Sequence, residues 1–182
     1  MNDMANLSAR ERQQIIDDFV DRAFAGIDPD APGAGIAQAM RRLPDELPDA
    51  PAAEVREAWS ELVELVSDEA FGQRVRAMAL AGAEGGGQAE SYDAQTVIEH
   101  AGAAVAAGVA PESPEGQRVL DRIVAPETPA AERAALADRL ETFTDRRVER
   151  YWELMCVLNG RPPYPSGVPS FEWVIAALRA HA

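Results

Sequence analysis

Apolar residues in this sequence recur at intervals of three and four from Ile15 to Leu178, and nowhere do they alternate over a length that would make a strand. Intervals of three and four put side chains on one face of a helix, whereas a half-buried strand needs a period of two. The fold is therefore expected to be all-α, a compact bundle of seven to nine helices around a central ligand cavity. A length of 182 residues suits one domain with a substantial core, so a single helical domain over residues 1–182 is expected.

Short local signals mark the helix ends. Ser8 stands three residues before Glu11, the spacing of a capping box, and Ile15, Ile16, Phe19, Val20, Ala23 and Phe24 follow on one face, with Gly26 as the stop. Between residues 27 and 51, five prolines surround a patch of Ile36, Met40 and Leu43, which predicts a short helix within a surface loop. Pro51 opens a helix whose inward stripe is Val55, Trp59, Leu62, Val63 and Val66, and Trp59 reads as a core residue whose indole N–H will need a partner. Ser67-Asp68-Glu69 caps the next helix, with Phe71, Val75 and Met78 facing inward. That helix gives way to residues 82–88, where three adjacent glycines lose much backbone entropy on ordering. This stretch reads as a slack linker, the alternative being a gate over a cavity.

The helix expected from Ser91 to Gly108 has an unusual polar face. Tyr92, Thr96 and His100 lie four apart, with Gln95 and Glu99 on the same side, while Val97, Ile98, Ala101, Ala104 and Val105 supply an apolar side. Two readings fit: a close helix contact with a satisfied histidine at its edge, or the polar wall of a pocket. Ser113-Pro114-Glu115 and Thr128-Pro129 each set an N-cap before a first-turn proline. The first of these helices buries Val119, Leu120 and Ile123; the second runs through Leu136, Leu140 and Phe143 and breaks near Thr144-Asp145.

Residues 146–181 hold two of the three tryptophans, Trp152 and Trp173, with Tyr151, Tyr164 and the single cysteine, Cys156. Tyr151, Leu154, Met155 and Leu158 repeat at helical spacing, Asn159-Gly160 ends the helix through a left-handed residue, and Pro162-Pro163 prevents its continuation. Ser170 is the expected N-cap of a last helix with Phe171, Val174, Ile175 and Leu178 on one stripe, so a helical hairpin is expected. Residues 162–169 have the composition of a polyproline ligand, but their place between two apolar helices predicts an ordered connection. Cys156, between Met155 and Val157, reads as a small buried apolar group rather than a nucleophile.

The run Val148-Glu149-Arg150-Tyr151-Trp152-Glu153-Leu154, followed by Asn159-Gly160, Pro162-Pro163 and Phe171-Glu172-Trp173-Val174-Ile175-Ala176-Ala177-Leu178-Arg179-Ala180-His181, resembles the C-terminal end of effector-binding domains in MerR-type transcriptional regulators of actinobacteria. Leu43 to Leu47, Ala58 to Asp68, Phe71 and Arg74 to Met78 are similar to earlier segments of the same domain. The likeness is to the effector-binding half alone, since these 182 residues contain no counterpart of the regulators' winged helix-turn-helix or long dimerisation helix. Arg161 departs from the pattern, in which a tryptophan follows Asn-Gly. What the resemblance implies is a domain that encloses a natural-product-like small molecule.

Several chemistries are excluded or unsupported. Lysine is absent, so all seventeen basic residues are arginines, which excludes a Schiff-base mechanism and a Walker-type phosphate loop. A formal net charge of −14 opposes binding to a phosphate backbone, so no nucleic acid is expected as a partner of this chain alone. Two histidines, His100 and His181, with no cysteine or carboxylate at ligand spacing, give no support for a metal site, and no cofactor motif is present. With no apolar run long enough for a bilayer and no signal-peptide pattern, a cytoplasmic protein with no membrane partner is expected.

The expected function is thus a stand-alone binding domain for an apolar or amphipathic small molecule, with a homodimer left open. Its pocket would draw a polar side from Tyr92, Thr96 and His100 and an apolar side from Trp59, Met78, Tyr151, Met155 and Trp173. Two alternatives stay open. One is an enzyme evolved from that pocket, with His100, Tyr92 or Glu99 as acid–base candidates; the other is a protein-interaction module.

Overall fold

A computed structural model of the chain describes residues 7–45, 52–85 and 92–182. Those residues are all-helical, with nine helices and no strand. In order they are α1 (Ala9–Ala23), α2 (Gly35–Met40), α3 (Ala53–Ser67), α4 (Glu69–Ala83), α5 (Ala94–Ala107), α6 (Pro114–Leu120), α7 (Ala130–Phe143), α8 (Arg146–Leu158) and α9 (Val168–Ala180). Among the described residues, no helix is long and apolar enough to cross a membrane. The expected opening at Pro51, the start at Ser91, residues 46 and 47 of the Leu43–Leu47 segment and residues 86–88 of the glycine run lie outside the described residues.

By its contacts the chain divides into two compact units, Met1–Gly85 with Arg147–Tyr164, and Gly86–Arg146 with Pro165–Ala182. Each has its own cluster of buried residues. The expected hairpin is divided accordingly: the buried face of α8 belongs to the first cluster and that of α9 to the second.

In the first unit, α1 begins with the expected capping box. The Ser8 hydroxyl accepts from the Glu11 N–H at 3.2 Å, and the Glu11 carboxylate accepts from the Ser8 N–H at 2.7 Å. Its buried face, Ile16, Phe19, Val20 and Ala23, leads into an aromatic centre. Phe19 stacks on Phe71 with ring centroids 5.5 Å apart, and Tyr151 packs beside both. Of the patch expected on α2, Met40 is buried and Ile36 is exposed. Outside this core, Arg150 on α8 clamps Glu61 on α3 with two hydrogen bonds of 2.7 Å, holding the Glu61 carboxyl below its ordinary pKa. The pair is half-exposed, so it orients the helices more than it stabilises them. The left-handed Gly160, at φ +64°, ends α8, and the Arg161 N–H donates to the Cys156 carbonyl at 2.8 Å.

In the second unit, α5 buries Val97, Ala101 and Ala104, whereas Ile98 and Val105, expected on the apolar side, are exposed. Each step along a helix turns about 100°, so Ile98 and Val105 fall a quarter-turn away from the buried stripe. The Gly102 backbone lies close to α9, where an added Cβ would stand 3.3 Å from the Ser170 hydroxyl. Ser113 caps α6, with Pro114 in the first turn as expected. The second cap differs: α7 starts after Pro129 with no side-chain cap, and the buried Arg133 donates from Nε to the Thr128 carbonyl and from Nη2 to the Pro126 carbonyl. At α9 the N-cap is Gly167, and Ser170 is a buried residue of the first turn. With Pro169 in that turn lacking an N–H, the helix begins earlier than a hydroxyl cap at Ser170 would allow.

Candidate functional site

Three helix ends converge in the first unit. The last turn of α1, the last turn of α3 and the first turns of α4 enclose a groove of about 330 Å³, at the small end of ligand-pocket volumes. Its buried floor is apolar, made of Phe19 and Ala23 from α1 and Val66 from α3, with Gly72 of α4 leaving a gap where another residue would place a side chain. An added Cβ at Gly72 would meet nothing closer than the Phe19 ring edge at 4.0 Å. The rim is polar: Arg22, Ser67, Asp68, Glu69, Gln73 and Arg76.

Most of these rim groups already hold the helix ends in place. Arg76 donates from Nη1 to the carbonyls of Ala25 at 2.9 Å and Ala23 at 3.2 Å, satisfying carbonyls left open where α1 ends. Asp68 caps α4 by accepting from the Ala70 N–H at 3.0 Å, and its second oxygen accepts from Arg147 at 3.4 Å. The Arg147 guanidinium lies over the Phe71 ring, 5.8 Å from its centroid. Ser67 donates to the Val63 carbonyl at 2.6 Å, and Gln73 donates to Glu69 at 3.1 Å. The Arg22 side chain, exposed on the rim, makes no hydrogen bond among the described residues.

The groove sets an apolar floor beneath a polar rim. Neither histidine nor cysteine lines the groove, and the one hydroxyl, Ser67, is spent on its own helix. An apolar body would displace water from Phe19, Ala23 and Val66, and Arg22 offers a cation at the edge. Among the described residues, no group of three or more His, Cys, Asp or Glu side chains is placed to hold a metal ion.

The eight residues expected to line a pocket fall into two groups. Trp59, Tyr151 and Met155 are members of the first unit's buried cluster, with Met78 half-buried on α4. The Tyr151 hydroxyl donates to the Met40 carbonyl, and burial pushes that phenol's pKa well up. The Trp59 N–H is buried with no acceptor among the described residues. Trp173 belongs to the second unit's cluster, where its indole N–H donates to the Val109 carbonyl at 2.8 Å. Tyr92 packs against that cluster edge-on to Phe171, and burial raises its pKa. Thr96 is occupied in the α5 cap, its hydroxyl donating to Asp93 at 2.8 Å, while His100 is half-buried and Glu99 exposed.

None of the eight lines the groove. A signal for it was present: Gly72 and Arg76 stand four apart on α4, a gap and a cation on one face beside the core positions Phe71 and Val75. No family model, no curated protein and no solved structure matches the chain.

Proposed function

We propose that this chain is a small-molecule-binding protein, comparable in role to the effector-binding domains of MerR-type regulators, and that the groove at the ends of α1, α3 and α4 holds its ligand. The observation that carries the reading is the groove itself: a buried apolar floor opened by Gly72, beneath a rim whose Arg22 side chain makes no hydrogen bond among the described residues. Such a site favours an amphipathic ligand with a compact apolar body and an acceptor or acidic group at one end. The rim groups that also hold the helix ends, Arg76 and Asp68, give such a ligand a direct effect on how these helices are held. Sensing or sequestering a natural product are the roles that fit.

A thermal-shift screen of amphipathic natural products tests this. Binders should raise the melting temperature of the native chain and lose that effect with Gly72→Leu, whose side chain fills the groove. A library in which no compound stabilises the chain, or in which every binder stabilises Gly72→Leu equally, contradicts the proposal.

A further inference from the structure

Glu69, Gly72 and Arg76 stand at intervals of three and four on α4, so one face of that helix carries a carboxylate, a gap and a guanidinium in line. Glu69 opens the helix, and Arg76 follows seven residues later, about 10 Å along the axis. All three line the groove, where the gap at Gly72 lies beside the apolar floor of Phe19, Ala23 and Val66. Arg22, from the last turn of α1, puts a second guanidinium on the same rim. At about 330 Å³ the groove has room for one compact apolar side chain and a small head group.

The charges on this rim keep capacity for a ligand. Arg76 reaches the carbonyls of Arg22, Ala23 and Ala25 through Nη1 alone, and its Nε and Nη2 make no hydrogen bond among the described residues. Those contacts set the Arg76 head at the α1 end of the groove, the end that also supplies Arg22. At the α3–α4 corner, Glu69 accepts from Gln73 at one oxygen, and its other oxygen accepts from no group among the described residues. Asp68 differs, since the Ala70 N–H engages one of its oxygens and Arg147 the other. A simple acid entering the groove is repelled by Glu69, and a simple amine is repelled by Arg22 and Arg76. A head group that carries both charges is attracted by both ends.

We propose that the ligand of this groove is a free apolar α-amino acid. Its side chain lies on Phe19, Ala23 and Val66 in the gap left by Gly72, its ammonium donates to the open Glu69 oxygen, and its carboxylate accepts from Arg22 and from the remaining donors of Arg76. The proposal rests on the reading of the groove as a ligand site and adds the ligand's chemical class to it. Arg22 and Glu69 are exposed, so water screens these contacts and a dissociation constant of about 10 µM to 1 mM is expected.

The test is a titration of the full ¹⁵N-labelled chain with L-leucine, L-methionine, L-phenylalanine and L-tryptophan, each compared with its N-acetyl and carboxamide forms. At least one amino acid should give saturable shifts at residues 19–23 and 66–76, and each of its blocked forms, having lost one charge, should bind roughly tenfold more weakly or worse. Glu69→Gln should weaken the free amino acid by a similar factor without weakening the N-acetyl form, while melting like the native chain. Absence of saturable shifts with every amino acid up to about 10 mM, equal affinity for the blocked forms, or unchanged affinity in Glu69→Gln would overturn the proposal. If other amphipathic compounds then bind the native chain and lose that binding in Gly72→Leu, the groove stands as a ligand site and only the ligand class is wrong. If none does, both readings fall.

Discussion

The Tyr151 hydroxyl, buried on α8, donates to the Met40 carbonyl at the end of α2 at 2.7 Å, joining residues 111 positions apart in sequence. The same ring packs beside Phe19 and Phe71, so one side chain both fills the first unit's aromatic centre and satisfies a helix-terminal carbonyl. Tyr151→Phe keeps the ring and removes the bond. It should cost about 1–3 kcal/mol, because the Met40 carbonyl loses its donor in a buried site.

Tyr151 also makes a pH prediction. Burial raises the folded-state pKa of its phenol, so between the ordinary tyrosine value, about 10, and the higher folded value the native state binds more protons than the unfolded one. Its contribution is complete below pH of about 10 and is lost as pH rises further. Denaturant melts at rising alkaline pH should show a falling stability whose slope is smaller in Tyr151→Phe. An unchanged slope would mean that another group controls alkaline unfolding.

In the second unit, Gly116 should tolerate no side chain. An added Cβ would stand 2.4 Å from the Pro111 carbonyl oxygen and 2.5 Å from that of Ala110, both backbone atoms of the loop that the Trp173 indole helps to hold through Val109. Gly116→Ala should therefore destabilise by about 1–3 kcal/mol through overpacking, although alanine is the better helix former. Chemical denaturation measures it, and a neutral or stabilising result would show that the loop gives way freely.

His100 should be dispensable for ligand binding if the groove is the site, because it lies outside the lining. His100→Ala is expected to leave the affinity of every thermal-shift hit unchanged and the compounds chemically intact. A loss of affinity worth about 1–3 kcal/mol would place a ligand on the α5 face, and a fall in product formation of roughly 10²-fold or more would mark an enzyme.

Low-salt mobility shifts with duplex DNA should be negative, since a chain of net charge −14 repels phosphate and releases few counterions. Salt-sensitive micromolar binding would contradict this.

Much of the fold was legible because its signals are local. The Ser8–Glu11 capping box, the Ser113-Pro114 start, the left-handed Gly160 and the buried stripe of Trp59, Leu62 and Val66 each need only a few neighbouring residues to be read. Two caps were misplaced for the opposite reason. Thr128 offers a carbonyl to the side chain of Arg133 rather than capping α7, and Ser170 is drawn into α9 because Pro169 starts the helix sooner. The groove was legible only in the Gly72–Arg76 spacing on α4, which does not reveal what stands opposite. It is bounded by helix ends from three elements, and only the meeting of Phe19, Val66 and Gly72 in space turns a helical glycine into a gap. The polar face of α5 read from its spacing either as a helix contact or as a pocket wall, and Thr96 there is engaged in the cap of its own helix.

The central claim is that a small molecule occupies the groove at the ends of α1, α3 and α4. The most direct measurement is an amide NMR titration of the ¹⁵N-labelled chain with the strongest thermal-shift hit, repeated with Gly72→Leu and Arg22→Ala. Gly72→Leu should fold, since its Cβ has room beside Phe19 and leucine favours a helix over glycine by about 1 kcal/mol. The account predicts shifts concentrated at Phe19–Ala23, Val66–Gln73 and Arg76, their loss in Gly72→Leu, and weaker binding of acidic compounds to Arg22→Ala. Shifts centred on α5 and α9, or full binding to a folded Gly72→Leu, would contradict it.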